Sequence, residues 1–355
     1  MNPRRVVVAM SGGVDSSVAA ALLVEQGYEV IGLMLRLWAG DGRSGSNRCC
    51  SPQDIAEARN VATTLGIPFY VIDAQAEFKQ TVVDFFLRGY AQGLTPNPCL
   101  ECNRHIRWGH LYRHAMALEA AFLATGHYAR LESNGRATRL LRAADRAKDQ
   151  SYVLSVLGQE QLAHALFPIG DYSKPEVRRL AARFSLSVAD RPESQDLCFV
   201  GDLDYRAFVR LHEPGSLTPG AILDRQGERL GMHEGLANYT IGQRKGIGVP
   251  SPIALYVLEK VPETHSLIVG PREMLGRRRF EAGGVHWVSG QAPGSPCRVA
   301  VRVRYKAREV PGVVNALSEG RVEVELEEAV PDVTPGQAAV FYDGDVCLGG
   351  GLIQL

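Results

Sequence analysis

The stretch RRVVVAMSGGVDSSVAAALL, residues 4–23, carries the reading of the fold. Val6, Val7 and Val8 predict a buried strand, Ser11-Gly12-Gly13 a tight turn, and Ser16 onward a helix with Ala19, Leu22 and Leu23 turned inward. Glycines let backbone N–H groups approach an anion closely, and the helix N-terminus behind them adds a partial positive charge that favours phosphate. A Walker A loop needs G-x-x-x-x-G-K-[ST], whose lysine reaches the terminal phosphates. Here Val14-Asp15-Ser16-Ser17 follows Gly13 instead. With Asp15 in the place of the lysine, the loop suits a pyrophosphate unit with a divalent cation: the carboxylate would help hold Mg²⁺, and Ser11, Ser16 and Ser17 would donate to phosphate oxygens.

The 355 residues are enough for two or three domains, each with its own core. Lys and Arg total 39 and so do Asp and Glu, so any nucleic-acid contact must come from local patches rather than from a basic tail. The chain enters its first strand almost at once, without a charged leader or apolar signal region, and no apolar run reaches membrane-spanning length; a cytoplasmic protein is expected. An odd count of seven cysteines argues against a disulfide framework and for free thiols, metal ligands or redox chemistry in a reducing compartment.

Beyond the first helix, EVIGLML predicts a second buried strand. Ser51 is a candidate helix N-cap with Pro52 at the first helical position; Ile55, Ala58, Val61, Ala62 and Leu65 share a face, and Gly66 stops the helix. PFYVID and AFLATGH predict further strands, separated by helical AEFKQTVVDFFLRGYAQG and NRHIRWGHLYRHAMALEA. Strands alternating with helices imply an α/β, doubly wound parallel sheet whose ligands sit beyond the carboxyl ends of the strands, where Gly12, Gly13, Gly126 and His127 fall. The texture then becomes rich in glycine and turns, and later strictly alternating: in RVAVRVRYKA, Val299, Val301, Val303 and Tyr305 face one side and Arg298, Arg302, Arg304 and Lys306 the other. The expected division is a catalytic domain over 1–204, a small β-rich central domain over 205–274 and a C-terminal β-barrel over 275–355.

Three cysteines stand out, Cys99 and Cys102 in TPNPCLECN and Cys198 in RPESQDLCFV. The first pair lies at the mouth of a helix, where the dipole, Arg104 and His105 would lower thiol pKa values and make nucleophiles. A lone C-x-x-C is equally compatible with a structural metal site or with two small buried residues, although no second C-x-x-C exists for a four-cysteine zinc site. GQRKG at 242–246 forms a basic turn suited to phosphate, or a solvated loop.

The string SGGVDSS directly after a valine strand resembles the PP-loop of the N-type ATP pyrophosphatases, which cleave ATP between the α and β phosphates. Longer strings, AMSGGVDSSVAA, GLMLRLW, TPNPCLECNRHIRW, ATGHYAR, AKDQSYVL, RPESQDLCFV, IGQRKGIGV and PGQAAVFYDGD, make the whole chain similar to the bacterial tRNA-specific 2-thiouridylase family. That resemblance implies replacement of O2 by sulfur at the wobble uridine of tRNAs for lysine, glutamate and glutamine, with ATP consumed. It implies an ATP site of Ala9, Met10, Ser11, Gly12, Gly13, Val14, Asp15, Ser16, Met34 and Gly126, with Asp15 serving Mg²⁺ through the nucleotide. It further implies tRNA contacts at Asn97, His127, Lys148, Asp149, Gln150, Arg304, Tyr305 and Gln337. Among these, Asn97 and His127 would read a flipped-out base, Lys148 would meet phosphate, and the Gln150 amide a base edge. Taken alone, Arg304, Tyr305 and Gln337 are ordinary solvated barrel residues.

In the resemblance, Cys198 receives a persulfide sulfur from a donor, a cysteine desulfurase or a sulfur relay protein. Cys102 then attacks the persulfide, and an external reductant resets the pair. Many relatives carry aspartate where Cys99 stands, which removes an acid–base group and creates a triad of Cys99, Cys102 and Cys198 able to ligate a [4Fe–4S] cluster. The persulfide route stands ahead of the cluster. Cys49 and Cys50, adjacent in a polar loop, are incidental or a donor-side thiol pair. Competing readings are an adenylating amide ligase, which shares the glycine loop without needing cysteines, and a tRNA-binding protein with a relict ATP site.

Overall fold

The computed structural model describes residues 2–38, 51–192, 197–201, 203–317, 320–331 and 333–354; Cys49, Cys50 and residues 193–196 lie outside them. Strand β1 (Asn2–Ala9) runs into the turn at 10–13 and then α1 (Val14–Glu25). Val6, Val7 and Val8 are fully buried because β1 is central and covered on both faces. It pairs in parallel with β2 (Glu29–Arg36) and with β4 (Ala120–Thr125), Val6 standing opposite Val30 and Phe122. With β3 (Phe69–Asp73) and the short β7 (Ala165–Leu166) the sheet order is β3-β2-β1-β4-β7. The chain builds outward from β1 to β3 and then returns to β4 on the other side, so the order reverses between β1 and β4. Open α/β sheets bind ligands at such a reversal, and here it is bordered by Gly12-Gly13 and by Gly126-His127.

Helix α2 (Pro52–Leu65) follows its sequence signals closely. The Ser51 hydroxyl accepts from Asp54 N at 3.1 Å, the Asp54 carboxylate returns the bond to Ser51 N at 2.9 Å, and Gly66 closes the helix at φ +67°. One apolar core packs α1, α2 and the helix Lys174–Arg183 on one face of the sheet. A second core packs the helical stretch 75–117 on the other and extends toward the C-terminal domain. Within that stretch the helix widens into π-helical turns over Lys79–Val83 and Cys102–Leu111.

Between β4 and β7 a hairpin, β5 (Ala129–Ser133) and β6 (Thr138–Arg142), leaves the parallel sheet and joins the C-terminal domain. The central domain is a four-stranded sheet of β8 (Gly220–Leu223), β9 (Arg229–His233), β10 (Tyr256–Val261) and β11 (Ser266–Gly270) in the order β10-β11-β8-β9. In the C-terminal domain β12 (Arg277–Trp287), β13 (Cys297–Arg302), β14 (Val310–Ala316), β15 (Val322–Val330), β16 (Ala338–Asp343) and β17 (Val346–Gln354) form an antiparallel barrel that closes through β12–β17. Strand β17 also pairs with β6, Val346 opposite Leu141, which joins the barrel to the first domain.

The alternation in RVAVRVRYKA holds for Val299, Val301 and Val303, all buried in the barrel. It fails at Tyr305 and at Arg302. Strand β13 stops at Arg302, so Tyr305 leaves the barrel and its ring stands 6.0 Å from that of Tyr152. Arg302 is not part of a solvated basic face: it ion-pairs with Asp149 and Glu309 at the domain junction.

Candidate active site

No side chain caps α1, so its first-turn N–H groups, which a helix cannot satisfy internally, are left for a ligand. The loop is too tight for anything but glycine at position 12, where φ is +72° and a Cβ would stand 2.6 Å from the Asp54 carbonyl oxygen. At Gly126 a Cβ would stand 2.6 Å from Ser16 N, so this glycine lets β4 end against the first turn of α1. The hydroxyls differ from expectation. Ser17 is fully buried and donates to the Gly13 carbonyl at 2.8 Å, and Ser16 Oγ accepts from Ser11 N at 3.2 Å; Ser17 therefore shapes the loop from inside. Met34 lies within β2 and its side chain is buried in the core, which leaves its backbone as the surface available to a nucleotide.

Asp15 projects from the first turn of α1 and meets two groups absent from the sequence reading. Lys174 Nζ donates to both carboxylate oxygens, at 2.7 and 2.8 Å, and the Tyr128 hydroxyl donates to Oδ1 at 2.8 Å. The loop does have its lysine, brought in from another helix. Asp15 is thus a single carboxylate already paired with a cation, which fits Mg²⁺ only as a co-ligand beside nucleotide phosphate oxygens. Arg191 donates to the Gly12 carbonyl at 2.7 Å and ion-pairs with Asp54, bracing the glycine loop against α2.

The thiols come together at the core on the other face of the sheet from α1. Pro98 opens a helix in which Cys99 occupies the first turn and Cys102 follows three residues later on the same face. Cys99, Cys102 and Cys198 form no disulfide, and Cys102 and Cys198 pack against one core. The expectation of lowered thiol pKa values fails at Cys99. It keeps an accessible surface, but protein encloses its other sides, and this desolvation pushes the thiol up to about 11. The neighbouring Cys198 adds to the rise, and Arg107 opposes it. A helix dipole within one turn is outweighed by lost hydration. Among the described residues no three His, Cys, Asp or Glu side chains converge on a single metal ion.

Several predicted RNA contacts meet at the junction of the first domain and the barrel, with their polar atoms already engaged. The Asn97 side-chain oxygen caps its helix by accepting from Cys99 N at 3.1 Å, and the side chain also bonds Tyr152. Gln150 accepts from Tyr128 N at 2.9 Å and bonds Tyr305. Gln337 donates to the Thr95 carbonyl at 2.8 Å, fixing the loop ahead of Cys99 from the barrel side. Lys148 and Arg304 are half-buried at the same junction, with Arg304 acting electrostatically on Tyr90 and Tyr152.

Two residues are buried with their polar atoms engaged inside the protein. Asp149 is buried and accepts from Ala143 N, Ser151 N, Ser151 Oγ and Arg302, so it ties the domains together. His127 is buried with both ring nitrogens engaged, by Thr125 Oγ1 at 2.7 Å and Arg107 at 2.8 Å. Since a guanidinium only donates, Nε2 is the acceptor and Nδ1 carries the proton. Burial, reinforced by the Arg107 charge, holds His127 well below its ordinary pKa and keeps it neutral. In this arrangement it orients Arg107, and neither ring nitrogen is left over for a base. Lys174, Tyr128, Arg191 and Arg107 are the residues that sequence reasoning missed. Tyr128, Arg191 and Arg107 stand inside quoted strings, whereas Lys174 had only an N-capping Ser-Lys-Pro-Glu signature.

Family models match all three parts of the chain: a tRNA methyl transferase HUP domain over 4–202, a tRNA methyl transferase PRC-barrel domain over 206–271 and an aminomethyltransferase beta-barrel domain over 277–353. Among similar proteins, the tRNA-specific 2-thiouridylase MnmA of Magnetococcus marinus is 48% identical over 354 residues, covering 99% of each chain. The enzyme of the same name from Roseiflexus castenholzii is 48% identical over 366 residues, covering 98% of this chain and 99% of its own. That from Chloroflexus aggregans is 49% identical over 351 residues, covering 98% of each. Among the described residues no helix is long and apolar enough to cross a membrane. The glycine turn, the three thiols and identity across nearly the full length agree: the chain belongs to the tRNA-specific 2-thiouridylase family, sulfurtransferases that act on tRNA.

Proposed function

We propose that this enzyme thiolates the wobble uridine of the tRNAs for lysine, glutamate and glutamine in the cytoplasm, activating O2 with ATP and drawing sulfur from a cysteine persulfide. The observation that carries the reading is the gathering of three thiols from two distant parts of the chain: Cys198 stands near enough to Cys99 to raise its pKa, and it packs with Cys102 against one core. An adenylating amide ligase would have no use for them.

A pyrimidine carbonyl oxygen is a poor leaving group. Uridine O2 attacks the α-phosphorus, the bond to the bridging α–β oxygen breaks, and pyrophosphate departs toward the first turn of α1, where the N–H groups and Lys174 neutralise its charge. Mg²⁺, held by phosphate oxygens with Asp15 as the protein's carboxylate, would supply further charge neutralisation. On the sulfur side, Cys102 as thiolate attacks Sγ of the Cys198 persulfide; the S–S bond breaks, hydrosulfide leaves, and a Cys102–Cys198 disulfide forms. Hydrosulfide adds to C2, the C2–O bond breaks, and AMP leaves with the oxygen. An external dithiol supplies two electrons to reduce the disulfide.

The test is reconstitution: purified protein, ATP, Mg²⁺, a persulfide donor, a dithiol and tRNA transcripts, followed by mass analysis of the nucleosides. One 2-thiouridine per tRNA at the wobble position, with one AMP and one pyrophosphate released, is the expected result. Amide formation or no tRNA-dependent pyrophosphate release would refute it.

A further inference from the structure

The basic turn Gly242-Gln243-Arg244-Lys245-Gly246 is left unused by the chemistry above, yet it is built as a rigid element. Gln243 holds it from within: its side chain accepts from Thr240 N at 3.1 Å and donates to the Lys245 carbonyl at 2.9 Å. Its backbone is tied to β10, Gly242 N donating to the Val257 carbonyl at 2.8 Å and Val257 N to the Gln243 carbonyl at 2.9 Å. Ile247, just beyond, is buried in the central-domain core. Arg244 and Lys245 are thereby exposed on a fixed support, with no acidic partner among the described residues. Two other cations of this domain are engaged, Arg210 with Glu234 and Lys260 with two carbonyls.

The turn sits where the three domains meet. Lys260 Nζ donates to the carbonyls of Tyr239, just before the turn, and of Leu94, five residues before Cys99, at 3.1 and 3.3 Å. A Cβ on Gly242 would stand 3.9 Å from the Pro331 carbonyl oxygen of the barrel. Beside the cations opens a recess of 610 Å³, lined by Arg244, Gly246, Val249, Pro250, Ile253 and neighbouring residues, without an aromatic ring. A site with paired cations and no stacking platform suits a phosphodiester backbone and not bases.

We propose that Arg244 and Lys245 bind the tRNA backbone on the strand that flanks the target uridine, so that the central domain is a third RNA-contacting element. The inference rests on the thiolation reading above, which brings a polyanion to the neighbouring loop. An acidic protein donor is the competing occupant.

The test compares the full chain with the double variant Arg244→Gln/Lys245→Gln and with the charge-conserving swap Arg244→Lys/Lys245→Arg, by tRNA binding over a salt series. For two single-strand phosphates the slope of log affinity against log salt becomes shallower by about 1.4 in the Gln variant. Affinity at low salt falls about 10-fold, KM for tRNA rises and kcat at saturating tRNA holds. The swap retains the wild-type slope. A wild-type slope in the Gln variant overturns the inference. So does an unchanged tRNA affinity combined with slower persulfide loading of Cys198 from a cysteine desulfurase without tRNA, which assigns the turn to the donor. Failure of the wild type to bind or thiolate tRNA would instead refute the thiolation reading.

Discussion

Lys174 Nζ lies 2.7 and 2.8 Å from the two carboxylate oxygens of Asp15, although 159 residues separate them. Lys174 is the first residue of its own helix and approaches the first turn of α1, so its ammonium faces the positive ends of two helix dipoles. A cation placed there is electrostatically costly, and the Asp15 carboxylate offsets part of that cost. The arrangement makes sense for an anion that arrives between them: pyrophosphate would take over from Asp15 as the partner of Lys174.

Lys174→Met therefore removes charge where the leaving group develops it. Adenylation, followed as tRNA-dependent pyrophosphate release, is expected to fall at least about 100-fold, the scale of losing one preorganised electrostatic contact. Affinity for tRNA should stay nearly intact, because the RNA candidates lie at the barrel junction. An equal loss of tRNA binding would show that the pair organises the domain instead of serving the phosphates.

The cysteines separate two sulfur mechanisms. Cys102→Ser and Cys198→Ser are each expected to abolish thiolation, whereas Cys99→Ser lowers the rate only in part, because Cys99, at about 11, is a protonated thiol at neutral pH and not the nucleophile. Alkylation of Cys99 by iodoacetamide, read by peptide mass spectrometry, should keep rising to about pH 11, and Arg107→Gln should push that profile higher. Equal severity of all three serine variants, with activity tracking iron content, would favour the cluster.

His127 gives a pH signature. Its folded pKa lies below the ordinary 6.5, so between those two values the unfolded chain binds a proton that the native state does not. The stability it contributes is complete above about pH 6.5 and is lost as pH falls toward the folded value. Urea midpoints should decline below pH 6.5, and His127→Gln should flatten that decline while lowering stability at pH 7.5 by about 1–3 kcal/mol. An unaltered slope would mean that His127 titrates normally.

These cases show which parts of the molecule were legible in the sequence. Local signals were reliable: Ser51, Pro52 and Gly66 bound α2, and Val6 to Val8 mark the central strand, because capping and consecutive burial are written in neighbouring residues. Long-range partners were not. Nothing near Asp15 announces Lys174, and nothing in KDQ announces that Asp149 turns inward to Arg302, since both depend on how distant elements pack. Cys99 misled for a related reason: the helix dipole is visible in sequence, but the enclosure that outweighs it is tertiary.

Asp149 tests that distinction between RNA contact and internal tie. Arg302 Nη1 donates to it at 3.2 Å, and Arg302 and Arg142 both pair with Glu309, while the Arg142 guanidinium stacks 3.8 Å above the Tyr342 ring. Burial alone would raise the Glu309 pKa, but hydrogen bonds from the two arginines outweigh it and hold the carboxyl below its ordinary value. Removing one charge from such a network leaves another desolvated and poorly paired, at a cost of about 3–5 kcal/mol. Asp149→Asn, close in shape, should therefore lower the thermal midpoint by roughly 5 °C or more. Combined with Glu309→Gln, it should show a coupling of about 0.5–3 kcal/mol because both act through Arg302. Measured well below the midpoint, tRNA affinity should barely change. A variant with normal stability but weakened tRNA binding would return Asp149 to the RNA surface.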